Sequence, residues 1–174
     1  MSDLQASAEA IINAPSELVL TILRDYDGHH RAILPPAFSH VVTEEGGIGA
    51  GTVTRFDLTL GGRTHSTRTR VEEPAPGVIR ERVLGRDMVT TFTVTPDGDR
   101  AQTRIETRWQ AAAGVAGILE RLFASGMFRK LYREELTRLD RYAQGLARRE
   151  ASVPEASDNP LVLARIPEPA KRPR

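Results

Sequence analysis

From Phe38 to Gln110 the side chains alternate with period two, and turn clusters cut the run at Glu45-Gly46-Gly47, Gly61-Gly62, Pro74-Ala75-Pro76-Gly77, Gly85-Arg86-Asp87 and Pro96-Asp97-Gly98-Asp99. Period two marks a half-buried strand, and these clusters punctuate six strands in succession. A parallel crossover needs about a dozen residues or more, which connections this short do not supply. The pattern therefore predicts an antiparallel meander. After Gly114 the period becomes helical, with Phe128, Leu131, Tyr132, Leu136, Leu139, Tyr142, Ala143 and Leu146 on one stripe. A sheet with one apolar face followed by such a helix predicts an α+β fold in which the helix lies across the sheet.

The segment ahead of the meander fits the same plan. Leu4 to Ile12 reads as a strand with Ala6, Ala8, Ala10 and Ile12 on one face and Ser7, Glu9 and Ile11 on the other. Asn13-Ala14-Pro15-Ser16-Glu17 then carries a capping residue, a proline and an early acid, the marks of a helix start before Leu18, Val19, Ile22 and Leu23. Asp27-Gly28 and Pro35-Pro36 bracket one further short helical piece over His29 to Leu34.

In the C-terminal helix, the apolar stripe before Phe123 and the stripe after Phe128 lie about 130° apart around the axis. This predicts a kink or break at Ser125-Gly126, with the first piece acting as a flap. The ordered pattern ends near Glu150, so one domain is expected over 1–150. Residues 151–174, rich in proline and charge with the apolar island Leu161-Val162-Leu163, are expected to form a flexible tail.

Lys and Arg number 24 and Asp and Glu 23, a formal charge of +1 that gives no strong field to steer nucleic acid or acidic lipid. Cysteine is absent, which excludes disulfides, thiolate chemistry and cysteine-based zinc sites. No stretch approaches the ~20 apolar residues of a membrane span, and Met1 to Ile12 lacks the basic start and apolar run of a signal peptide. A cytoplasmic protein without stable membrane insertion is the expectation.

Three segments carry a family likeness: IINAPSELVLTIL at Ile11 to Leu23, GGIGAGTVTRF at Gly46 to Phe56, and FRKLYREELTRLDRYA at Phe128 to Ala143. With the element order, they make the chain from about Leu4 to Leu146 resemble the START-like superfamily, also called SRPBCC, and within it the polyketide cyclase/dehydrase and lipid-transport family. The resemblance implies the helix-grip fold: a curved seven-stranded antiparallel sheet wrapped on a long C-terminal helix, with two short helices after strand one. Members include lipid carriers, hormone receptors, aromatase/cyclases and co-chaperone-like modules, so the fold alone selects no function.

Strand parity shows which side chains face the helix. Arg55, Asp57, Arg68, Arg70, Arg80, Arg82, Arg104, Glu106 and Arg108 crowd one parity, which should face water. The other parity holds Phe56, Leu58, Leu60, His65, Thr67, Thr69, Val71, Ile79, Glu81, Val83, Met88, Thr90, Phe92, Val94, Thr103, Ile105, Thr107 and Trp109. Pairing across the hairpins predicts one layer of Phe56, Thr69, Glu81, Phe92 and Ile105. A second holds Leu58, Thr67, Val83, Thr90 and Thr107, and a third Leu60, His65, Met88 and Trp109. Leu122, Phe123, Phe128 and Leu131 are expected to close the cavity from the helix.

The inward threonines suit a pocket that offers hydroxyls to an apolar ligand, and equally suit strands in general. Glu81 and His65 are the ionisable inward residues. A buried carboxyl without a partner is pushed toward its neutral form and can serve as general acid or hydrogen-bond donor. Alternatively Glu81 pairs with Arg82, Arg104 or an arginine of the C-terminal helix. Glu81 and His65 lie four residues apart along the sheet, more than ~10 Å at about 3.3 Å each, and would touch opposite parts of one ligand.

His29-His30 beside Asp25 and Asp27 raises a metal site, but adjacent helical histidines point about 100° apart and no second cluster completes it. No P-loop, G-x-S-x-G elbow or H-E-x-x-H motif occurs, and the outward arginines lack the aromatics of an RNA-binding face. No cofactor, metal or nucleic acid is expected. The leading expectation is binding of a small hydrophobic molecule (lipid, polyketide or aromatic metabolite) in an internal cavity. A cyclase/dehydratase-type enzyme using Glu81 and His65, or a protein-interaction module using the outer sheet face, are the alternatives.

Overall fold

The computed structural model describes the backbone of residues 3–110 and 115–152, with side chains over 4–110, 124–149 and at 151. Elements follow in the order β1 (Asp3–Ile12), α1 (Ser16–Arg24), α2 (His29–Ile33), β2 (Phe38–Glu45), β3 (Val53–Leu60), β4 (Arg63–Ala75), β5 (Val78–Val83), β6 (Met88–Asp97), β7 (Arg100–Gln110) and α3 (Val115–Ser152). The seven strands form one antiparallel sheet in the order β1-β7-β6-β5-β4-β3-β2. The meander is thus as the alternation predicts, and β1 closes it by pairing along β7 from Asp3↔Gln110 to Ile12↔Ala101. Between Ser39↔Asp57 and Val42↔Arg55 the β2 strand carries an extra residue, a bulge with His40 at φ 50. Such a bulge adds bend and twist at the sheet edge.

The helix crosses the sheet mainly over β1, where the small side chains of Ala6, Ala8 and Ala10 let it approach. Its stripe of Phe128, Leu131, Tyr132, Leu136, Leu139 and Ala143 is buried, while Ile11 on the other face of β1 is exposed. Asn13 does not cap α1. Pro15 stands at that position without a side-chain cap, and Asn13 instead donates from its backbone N (2.7 Å) and its Nδ2 (3.1 Å) to Asp140 on α3. The polar turn after β1 therefore pins the gripping helix to the sheet.

No break interrupts the helix at Ser125-Gly126: α3 is one element of 38 residues. A single glycine costs a helix only about 1 kcal/mol, which flanking helix formers outweigh. Leu122 and Phe123, with the flap expected of their piece, lie outside the residues whose side chains are described, as does nearly all of the expected tail.

Glycine geometry sets two hairpins. Gly61 (φ 57) and Gly62 (φ 76) form a two-residue turn that pairs Leu60 with Arg63, and hence Phe56 with Thr67 rather than Thr69. At the β4–β5 turn Gly77 has φ 73, and a Cβ there would stand 2.6 Å from the Val94 carbonyl oxygen. Gly77→Ala is expected to cost about 2–3 kcal/mol from left-handed strain and this clash. Urea unfolding measures it, and a loss under about 0.5 kcal/mol, the level of a neutral surface change, would contradict the geometry.

The predicted layers are corrected accordingly. Glu81 sits opposite Val71 and Thr90, Val83 opposite Thr69, and Phe92 opposite Ile79 and Ile105. Each error is a shift of two residues, so the facing parity is unchanged. On the outer face the arginines are held by acids: Arg55 and Arg68 by Glu44, Arg80 and Arg82 by Glu72, Arg104 and Arg108 by Glu106. Hydrogen bonds from Arg68 and Arg55 hold the Glu44 carboxyl below the usual range.

Candidate functional site

A cavity lies between the concave sheet face and α3. Strands supply most of its wall: Phe56 and Leu58 from β3, Thr67 and Thr69 from β4, Glu81 and Val83 from β5, Thr90 and Phe92 from β6. Phe128 and Leu131 close it from α3. His65 also lines it, but as an exposed residue at the rim beside the exposed Arg31 and Arg86. Three expected lining residues stand behind the wall. Ile105 and Thr107 are buried in β7, and Trp109 packs its ring 5.2 Å from that of Phe128.

The threonine hydroxyls largely satisfy one another. Thr69 bonds Thr54 at 2.8 Å, Thr90 bonds Thr107 at 2.7 Å, and Thr107 also bonds the hydroxyl of Tyr132. They wall the cavity more than they offer themselves to a guest.

Around Glu81, which strand parity places inward, the cavity is lined by buried polar side chains that parity could not reveal. Tyr26, in the link between α1 and α2, is held by backbone bonds: its N–H donates to Gly47 O at 2.9 Å and its carbonyl accepts from Arg31 Nε at 3.0 Å. Its ring stacks on His30 at 4.5 Å, and its hydroxyl donates to Glu81 Oε1 at 2.8 Å. Glu81 thus takes a tyrosine rather than an arginine as partner; Arg82 pairs with Glu72, and Arg104 with Glu9 and Glu106. His30 is itself buried, its ring edge-on to Phe92 at 5.7 Å. Its Nδ1 donates to the Leu23 carbonyl at 2.7 Å, which leaves Nε2 as its other polar atom.

From α3 comes Glu135, 2 % exposed, whose Oε1 has no hydrogen-bond partner among the described residues. Burial first, and the neighbouring Glu81 charge second, push its carboxyl up to about 8. Tyr26 is likewise raised well above its ordinary value by burial and by the Glu81 charge, and burial raises Tyr132. Glu135 follows Leu131 by four residues and precedes Leu139 by four, so an acid in the apolar stripe was a readable signal. Tyr26 had no such signal, because it lies between periodic elements.

The two histidines diverge, as adjacent helical positions require. While His30 faces the cavity, His29 Nδ1 bonds the Tyr142 hydroxyl at 2.8 Å. Among the described residues no group of three or more histidines and acids is placed to share a metal ion, and no helix is long and apolar enough to cross a membrane.

Known structures share this architecture. The KanY protein, solved in solution, is 30% identical with a TM-score of 0.75, covering 83% of this chain and 100% of its own. The Zhui aromatase/cyclase from Streptomyces sp. R1128 is 23% identical with a TM-score of 0.62, covering 87% of this chain and 98% of its own. Norcoclaurine synthase from Thalictrum flavum, in complex with dopamine and hydroxybenzaldehyde, is 14% identical with a TM-score of 0.62, covering 83% and 88%. These last two identities speak for the fold alone. No curated protein matches the chain in sequence. Residues 3–144 match the family described as polyketide cyclase / dehydrase and lipid transport, and the chain, with its helix-grip architecture, belongs to that family.

Proposed function

We propose that this protein binds a small, largely hydrophobic molecule inside the cavity between sheet and α3. The supporting observation is the cavity's division of labour: apolar walls from Phe56, Leu58, Val83, Phe92, Phe128 and Leu131, and polar atoms grouped at one end. A pocket of this kind draws affinity from its walls and orientation from a few fixed polar groups. The uncharged naphthalene dye prodan reports such binding by fluorescence. Thr67→Trp, which puts an indole into the space beside Phe56, is expected to weaken dye binding roughly tenfold or more. Saturable binding that ignores this substitution would place the dye elsewhere and overturn the reading.

A cyclase/dehydratase-type activity is the second reading, favoured by the placement of Glu135 near Glu81. Two carboxyls in unlike environments can divide acid and base roles, one protonated and one ionised at the same pH. His65, exposed at the rim, is then not the partner of Glu81 in proton transfer. Glu81→Gln separates the readings: a binder keeps its ligand with altered affinity, whereas an enzyme using Glu81 as its base loses turnover.

A further inference from the structure

We infer that the closed end of the cavity accepts a protonated amine, held between Glu81 and Glu135, with the rest of the ligand lying against Phe92, Phe128 and Leu131. This rests on the ligand-binding reading and names the chemistry of the guest.

Burial defines the closed end. Tyr26, His30, Phe92, Tyr132 and Glu135 are all buried and Glu81 is half-buried, whereas His65 and Arg86 are exposed at the mouth. The nearest guanidinium, that of the exposed Arg31, bonds the Tyr26 carbonyl and Thr43 and pairs with Asp27, and it joins neither carboxyl. At the closed end the charge-bearing chemistry is acidic. Glu81 from β5 and Glu135 from α3 are joined there by two tyrosine hydroxyls, one donating to Glu81 and the other engaged with Thr107. His30 from α2 is the one base among these lining groups, and its Nδ1 hydrogen is spent on Leu23. From β4 and β6 the lining groups are Thr69 and Thr90, which carry no charge. No ion pair joins either carboxyl among the described residues, although nearly every acid of the outer sheet face has an arginine.

A buried carboxyl such as Glu135 is costly to ionise beside the half-buried Glu81 when no counter-charge is at hand. Glu135 Oε1, buried and unpartnered, is a hydrogen-bond site left open within the cavity. An ammonium group fits both needs. It supplies N–H donors to Glu135 and Glu81 together, and its charge permits Glu135 to ionise. An anionic guest would meet repulsion at this end, and a neutral one would leave the pair uncompensated.

Proton linkage gives the sign. Below about 8 Glu135 holds a proton in the empty protein. Binding an ammonium favours the carboxylate, so that proton is released and affinity rises with pH toward the same point. An uncharged guest that accepts a hydrogen bond from the protonated Glu135 shows the opposite slope.

The test compares 1-naphthylmethylamine with its uncharged isostere 1-naphthylmethanol by isothermal titration calorimetry at pH 6, 7 and 8, with prodan as a measure of the intact cavity. We expect the amine to bind about tenfold or more tighter than the alcohol at pH 7, the range of a hydrogen bond to a charged group. Its affinity should climb with pH, and the heat should vary with the buffer's ionisation enthalpy as a proton is released. In Glu81→Gln/Glu135→Gln the preference for the amine over the alcohol should vanish, with near-ultraviolet circular dichroism showing that the variant is folded. If the wild-type protein binds prodan but favours the alcohol, or if the double variant keeps the amine preference, the inference falls and the ligand-binding reading stands. If neither naphthalene compound nor prodan binds, both fall.

Discussion

Glu135→Gln is expected to make the protein more stable at neutral pH, by about 3 kcal/mol at pH 7. The carboxyl is pushed up to about 8 in the folded protein from an ordinary value of 4.5, chiefly by burial. The native state therefore binds the proton more tightly than the unfolded chain does. For an acid shifted in this direction, stability is greatest below 4.5 and is lost as pH rises from there through about 8. Glutamine keeps the shape and stays neutral, so the variant escapes that loss. The difference between the two proteins should be near zero at pH 4 and grow to an upper limit of about 5 kcal/mol above pH 8. Urea unfolding at pH 4, 7 and 9 measures it. A constant difference across that range would show that Glu135 does not titrate as its burial requires. Since the Glu81 charge also raises Glu135, Glu81→Gln should bring the upper end of that pH range down and shrink the total loss.

Leu139→Ala should have the opposite effect on the grip, a loss of about 3–4 kcal/mol. Leu139 is fully buried on the α3 stripe, one residue before the Asp140 carboxylate that receives Asn13. Leu136, one turn earlier on the same stripe, is also fully buried, and the small side chains that β1 turns toward α3 have little bulk with which to fill a gap. Truncation removes transfer energy and leaves a cavity. Leu146, lower on the same stripe and only partly buried, is the control: Leu146→Ala should cost about 1 kcal/mol or less. Equal losses at the two positions would mean that the helix is not anchored by its central turns.

The strands, their antiparallel order and the long helix were legible in the sequence because each rests on a repeated signal. Period two survives local error: a two-residue slip moved Phe56 from Thr69 to Thr67 without turning any side chain to the other face. Register was not legible, because it depends on how many residues each turn consumes, and Gly61-Gly62 consumes only two. The apolar wall of the cavity could be read from parity, whereas its polar end could not. That end is assembled from a link between helices (Tyr26), a five-residue helix (His30) and a long-range partner on α3 (Glu135), and no local spacing brings them together. Asn13 misled for a physical reason. Its side chain suits a helix cap, but an acid across the fold offered a charge-assisted acceptor, the stronger of the two bonds.

The pairing of β1 with β7 also sets a timetable for biosynthesis. Asp3 must wait for Gln110 before their part of the sheet can zip, and at roughly 5–20 residues per second that is an interval of about 5–20 s on the ribosome. Through it the first strand is an unpaired β segment among emerging hairpins. Its alanines, weak strand formers, and the charge of Glu9 make it a poor template for premature or intermolecular pairing. The composition that lets α3 seat closely in the finished protein thus also keeps β1 quiet until its partner arrives.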